Sequence, residues 1–224
     1  MSTEQRPLGR TGADVSVVGL GTWQLGGDWG DVDDDTAADV LDAALDAGVT
    51  LLDTADVYGD GRCEVRIRRA LVARSERPFV ATKAGRRADP FEVAQYTPEN
   101  LRAWIDRSRR NLGVDTLDLV QLHCPPSPVY SDRRVYDALD SFVEDGAIAA
   151  YGVSVETVTD GLPESLPALL WADKVLDRLA REGRPVEPGR SADLGDRLLA
   201  LVAEAQAAGV DPEQALRDAV RKLL

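Results

Sequence analysis

TLDLVQLH, residues 116–123, is the stretch that decides how this chain is read. Its apolar residues have the density of a strand buried on both faces, and it ends on His123, the single histidine of 224 residues. Working outward, the same layout recurs upstream. The run VTLL leads into DTADVYGDG (53–61), placing Asp53 at a strand end and Tyr58 just past it. ATKAG (81–85) places Lys83 at the end of another run. Ionisable groups at the C-terminal ends of successive strands are how a parallel β/α barrel builds an active site.

The segments between these runs read as helices. Residues 7–21 predict a short hairpin turning at Gly12, and VSVVGLG then enters Thr22, Trp23 and a glycine-rich loop to Gly30. Asp33 to Thr36 offer an N-cap for a helix that Gly48 ends. Glu64 to Arg74 suits a second helix, and Phe79 to Lys83 a strand. Thr97-Pro98-Glu99 is a helix start, with Thr97 as cap and Pro98 at the first helical position. Leu101, Trp104, Ile105, Ser108 and Leu112 then line one face, and Gly113 stops the helix. A proline loop follows His123, then a helix from about Arg133 to Asp145, then the strand IAAYGVS (148–154). Repeated strand–helix units imply a parallel sheet with right-handed crossovers.

After Glu156 the pattern changes. Three helical stretches, about 166–182, 192–208 and 212–223, carry Leu and Val at helical spacing, and no segment reads as a buried strand. The expected division is therefore 1–155 and 156–224, with a turn-rich linker near 183–192. A hydrophobic share of 44% and a charged share of 29% describe an ordinary globular protein. A net charge of −13 argues against nucleic-acid binding, which needs basic patches. No run approaches the roughly 20 apolar residues of a membrane span. The first residues carry no apolar signal-peptide core, so the expectation is a cytoplasmic protein. Cys63 and Cys124 lack metal-ligand spacing and read as two thiols.

The four polar groups form a proton-transfer set. A tyrosine donates a proton poorly at neutral pH unless an ammonium stands beside it, and a carboxylate holds such an ammonium in place. A histidine can hydrogen-bond a carbonyl oxygen. The set suits protonation of a carbonyl while a cofactor supplies hydride, because no side chain donates one. His123 alone would more often be structural; its register with the other three gives it a catalytic reading. Gly19-Leu20-Gly21 is not a dinucleotide fingerprint, since Gln24 occupies the next glycine position and a loop follows.

From about residue 7 to 155 the chain resembles the aldo/keto reductase family of NADP-dependent (β/α)8 barrels. GLGTWQLGG (19–27), DTADVYGDG (53–61) with Glu64, ATKAG (81–85), DLVQLH (118–123) and YGVS (151–154) carry the likeness. The resemblance implies Asp53, Tyr58, Lys83 and His123 as the catalytic tetrad, with Tyr58 the general acid. It implies Gly21, Thr22, Trp23 and Ser154 beside an NADP(H) nicotinamide, and a small aldehyde or ketone as substrate. Cys63, Arg68 and Val155 depart from the family pattern. The family's later strands, which carry an aromatic under the nicotinamide and the basic 2′-phosphate segment, have no counterpart in 156–224. The expected fold is thus an incomplete TIM barrel of about five strands followed by a helical tail, open enough to self-associate.

The tail, at 165–183 and 194–223, is faintly similar to C-terminal helices of MazG-type nucleotide pyrophosphohydrolases. Asp196 is one carboxylate where octahedral Mg²⁺ needs several, so no metal site is expected. The alternatives to a carbonyl reductase are a catalytically impaired interaction module and, distantly, a pyrophosphohydrolase.

Overall fold

The computed structural model of the chain describes residues 3–27, 30–72, 74–155, 167–181, 183–184 and 193–222. They divide into two compact units, 1–154 and 155–224. The first opens with an antiparallel hairpin of β1 (Gln5–Pro7) and β2 (Asp14–Ser16). The expected hairpin over 7–21 is thereby corrected. The register ends at Ser16, with one further bond from the Val17 N–H to the Glu4 carbonyl at 2.9 Å, and Ser16 exchanges hydrogen bonds with Thr50: each backbone N–H donates to the other's hydroxyl at 2.8 Å. Val17 and Val18 are left exposed.

The main sheet is parallel and five-stranded, in the order β3 (Leu20–Gly21), β4 (Leu51–Asp53), β5 (Phe79–Ala84), β6 (Leu119–His123), β7 (Tyr151–Ser154). β3 and β7 form its two edges, so the barrel is not closed. Between successive strands run α1 (Asp34–Asp46), α2 (Arg62–Leu71), α3 (Pro98–Leu112) and α4 (Arg133–Glu144).

The helix ends follow their caps. Asp33 accepts from the Thr36 N–H at 2.7 Å at the start of α1. Thr97 accepts from the Asn100 N–H at 3.2 Å ahead of Pro98. Gly113 closes α3 at φ 69°, where a Cβ would be strained. Leu101, Ile105, Ser108 and Leu112 of α3 are buried, as their spacing predicts. α2 starts at Arg62 and ends at Leu71, earlier at both ends than the expected 64–74, because the left-handed Gly61 turns the chain into it without a side-chain cap.

Side chains alternate across the sheet. Leu52, Val80, Thr82, Val120 and Leu122 point one way and are buried in the core with the helices. Lys83 pairs in register with Gln121, and His123 with Ser154, on the opposite face.

The second unit holds α5 (Ala168–Arg181), α6 (Leu194–Ala207) and α7 (Pro212–Arg221). Asp193 caps α6 and Asp211 caps α7. Among the described residues after Ser154 all regular structure is helical. Residues 185–192 of the expected linker lie outside the described residues. No described helix is long and apolar enough to cross a membrane.

Candidate active site

The four residues singled out in the sequence meet at one end of the sheet. Asp53 ends β4, Lys83 lies near the end of β5, and His123 ends β6. Tyr58 opens the short 3-10 turn that follows β4. Lys83 Nζ donates to Asp53 Oδ1 at 2.6 Å, to the Thr54 carbonyl at 2.9 Å and to Tyr58 Oη at 3.4 Å. The ammonium is buried while the Asp53 carboxylate is nearly half exposed. The charge therefore sits under Tyr58 with its counter-ion on the solvent side. Lys83 Nζ also lies 5.2 Å from the centre of the Tyr58 ring.

His123 meets that ring edge-on, with centroids 5.8 Å apart at 86°. Burial, and then the positive charges of Lys83 and Arg86, push the imidazole pKa down to about 4. At neutral pH it is an uncharged ring with one N–H to donate. Its Nδ1 is buried without a hydrogen-bond partner among the described residues, as is Gln121 Oε1 on the same strand.

The expected cofactor contacts divide. Trp23 lies nearly parallel to Tyr58, 6.0 Å away at 23°, and is substantially exposed. Around Gly21 nothing lies within 4 Å of where a Cβ would stand. Ser154 shares a register row with His123. Thr22 is different: it is fully buried, and both its N–H and its hydroxyl donate to the Asp53 carbonyl, at 2.9 and 3.0 Å. It fixes the end of β3 against the end of β4.

A supporting frame surrounds Tyr58. Gly26 and Gly59 touch so closely that a Cβ on Gly59 would stand 2.4 Å from the Gly26 carbonyl oxygen. Arg66, buried on α2, donates to the carbonyls of Leu25 and Val32 and pairs with Asp34. Glu64, also buried, accepts from Thr82 Oγ1 at 2.7 Å and Asn111 Nδ2 at 2.8 Å. Arg107 of α3 donates to the carbonyls of Asp56 and Asp60 at 2.9 and 2.7 Å. The sequence gives no sign of Arg66 or Arg107, because arginines on these helices read as solvated faces.

Among the described residues of the tail there is no comparable constellation. Asp196 lies in the first turn of α6, its N–H donating to Asp193 Oδ1 at 3.3 Å. Among the described residues no group of three His, Cys, Asp or Glu could hold a metal ion.

A parallel β/α sheet with Asp, Tyr, Lys and His joined at its C-terminal end defines the class, and comparison with known proteins names it. The aldo/keto reductase family model matches residues 17–161. The chain belongs to the aldo/keto reductase family.

It is 31% identical over 155 residues to the Aldo-keto reductase YhdN of Bacillus subtilis, covering 67% of this chain and 46% of that one. It is 39% identical over 160 residues to the 6-dehydroglucose reductase of Novosphingobium aromaticivorans, covering 66% and 50%. A solved aldo-keto reductase from Klebsiella pneumoniae in complex with NADPH superposes with a TM-score of 0.55 at 26% identity, covering 66% and 48%. The chain thus spans about half the length of the curated relatives it matches.

Proposed function

We propose that the chain carries the proton-transfer half of a nicotinamide-dependent carbonyl reductase, with NADP(H) as cofactor and an aldehyde or ketone as substrate. The observation that carries this reading is the Lys83 ammonium held between Asp53 Oδ1 at 2.6 Å and Tyr58 Oη at 3.4 Å.

Tyr58 donates its proton to the substrate oxygen. Lys83 stabilises the phenolate that remains, which is an electrostatic contribution aimed at charge present only as the reaction proceeds. Asp53 keeps Lys83 charged and in place. Neutral His123 donates a hydrogen bond to the same substrate oxygen and orients it. The dinucleotide, when bound, supplies the hydride.

The residues present fit the nicotinamide end of that group. Trp23 offers an exposed ring beside Tyr58, Gly21 leaves room for close approach, and Ser154 stands beside His123 to meet a carboxamide. The Klebsiella pneumoniae neighbour was solved with NADPH, whereas a relative from Escherichia coli, 32% identical over 193 residues, is named as NADH-specific.

The test is turnover of aldehydes by the purified full chain, followed as loss of NADPH absorbance. Tyr58→Phe should lower the rate about 100-fold or more, the usual worth of a general acid. Equal rates in the two proteins would remove Tyr58 from this role. A folded chain that binds no dinucleotide and reduces nothing would favour the interaction-module reading.

A further inference from the structure

We propose that Asp56 is a positioning residue for Tyr58: a buried carboxyl set beside the two arginines that hold the Tyr58 loop, and able to compete for them. The assignment rests on the reading of Tyr58 and Lys83 as the proton-transfer pair, and it adds a group that this pair does not include.

Asp56 is fully buried between the end of β4 and Tyr58. Its backbone is tied on both sides. Its N–H donates to the Lys83 carbonyl at 3.2 Å. Its own carbonyl accepts from Arg107 Nη1 at 2.9 Å and Arg87 Nη1 at 3.4 Å. Its carboxyl lacks a hydrogen bond of ordinary geometry at either oxygen among the described residues, and the neighbouring Val57 N–H gives it only a weak pull toward the charged form. An unpartnered carboxylate at such a site would be costly, whereas a neutral carboxyl is tolerated.

The surrounding charges come from several elements. Glu64 of α2 disfavours ionisation of Asp56, while Arg87, after β5, and Arg107, on α3, favour it. The phenol of Tyr96, ahead of α3, also lies within electrostatic reach. Lys83 lies behind its amide, and Asp60 sits on the same loop, where its Oδ1 accepts from Arg87 at 2.5 Å and Arg107 at 2.9 Å. Burial, then Glu64, push the Asp56 pKa up to about 7.

Both arginines thus face a choice that depends on one proton. With Asp56 neutral, they serve Asp60 and the Asp56 carbonyl, and the loop stands as described. When the proton leaves to solvent, the new carboxylate competes for the same two guanidiniums. The turn at Gly59, Asp60 and Gly61, all at positive φ, then loses the contacts that pin it. Tyr58 begins that turn, so its hydroxyl leaves the 3.4 Å contact with Lys83.

The experiment reads the loop and the reaction separately. Trp23 stacks on Tyr58, so its emission, isolated by subtracting the Trp23→Phe protein, reports the loop. Across about pH 6–8 the native chain should show a single transition near 7, and Asp56→Asn, which cannot ionise, should show none. Arg107→Gln, which removes a charge favouring ionisation, should move the midpoint upward by about half a unit or more. The rate of carbonyl reduction should fall through the same midpoint in the native chain and stay level across it in Asp56→Asn. Identical emission profiles for native and Asp56→Asn, or a midpoint moved downward by Arg107→Gln, would overturn the proposal. If no carbonyl is reduced, the carbonyl-reductase reading fails while the emission profiles still decide whether Asp56 governs the loop.

Discussion

Replacing Arg66 by methionine should destabilise the first unit by about 3 kcal/mol, and the structure shows where that figure comes from. Methionine keeps most of the apolar stem of arginine, so packing is largely retained. What disappears is a buried guanidinium serving three acceptors, two between β3 and α1 and one at the first residue of α1. These are the Leu25 carbonyl, the Val32 carbonyl at 2.8 Å and the Asp34 carboxylate at 2.7 Å. The Asp34 pair is solvent-exposed on the carboxylate side and contributes little once screened. The two carbonyls matter more. Each hydrogen bond to a charged donor is worth about 1.5–3 kcal/mol, and each carbonyl left without it recovers part of that from water. Urea denaturation followed by tryptophan emission is the assay. At a slope of about 2 kcal/mol per molar, the midpoint should fall by roughly 1.5 M. Arg66→Lys should recover little, because a single ammonium lacks the planar fork that serves spaced acceptors. A midpoint within about 0.3 M of native for Arg66→Met, or full recovery by lysine, would refute the clamp.

Three further outcomes follow from the same geometry. Gly59→Ala should lower stability by about 2–4 kcal/mol in thermal melts, since its φ is +56° and its Cβ would strike the Gly26 backbone; an unchanged melting temperature would mean the two turns do not touch. His123 and Asp56 should offset each other in pH dependence. The lowered imidazole pKa gives stability that is present above about 6.5 and lost as pH falls to about 4. The raised carboxyl pKa gives stability that is present below about 3.8 and lost as pH rises to about 7. Between about 4 and 6.5 the two slopes have opposite sign, so Asp56→Asn should unmask a rise of roughly 2 kcal/mol with pH, after allowance for the partial exposure of His123; parallel curves for variant and native would contradict it. NADPH should bind weakly with little preference over NADH, because a chain of net charge −13 offers poor complementarity to the 2′-phosphate; tight, NADPH-selective quenching of tryptophan emission would show otherwise.

The order of strands and helices was legible because its punctuation is local. Thr97-Pro98 and Gly113 bracket α3 by chemistry that needs no tertiary context. The meeting of Asp53, Tyr58, Lys83 and His123 was legible for a related reason: each sits at or near a strand end, and parallel strands bring their ends together. The hairpin was misjudged because Val15 to Val18 reads as one apolar run. In the structure Ser16 and Thr50 exchange hydrogen bonds in the middle of it, a pairing 34 residues apart in sequence. The bond Thr22 makes across the sheet was illegible for a similar reason. Its hydroxyl is taken by the Asp53 carbonyl, 31 residues away. Asp56, Arg66 and Arg107 were illegible because their meaning depends on partners from several elements at once.

The site divides by the distance over which its parts must cooperate. Every contact that holds Lys83 against Tyr58 comes from β4, β5 and the turn after β4, and the frame behind that turn comes from the stretch after β3 and from α2 and α3. Those elements are neighbours in both sequence and sheet order. The proton-transfer arrangement proposed for Lys83 and Tyr58 therefore draws only on adjacent elements of the chain. Holding an extended dinucleotide is a different problem, since its nicotinamide and its 2′-phosphate must be gripped far apart. In the proposed reading, Trp23, Gly21 and Ser154 of the first unit would meet only the nicotinamide end. A mutation that disturbs Tyr58 should thus act on the chemical step, whereas cofactor affinity should respond weakly to any single residue of the tetrad. That asymmetry, a large effect of Tyr58→Phe on turnover beside a small one on NADPH binding, is what separates a proton-transfer site from a cofactor site built from the same strands.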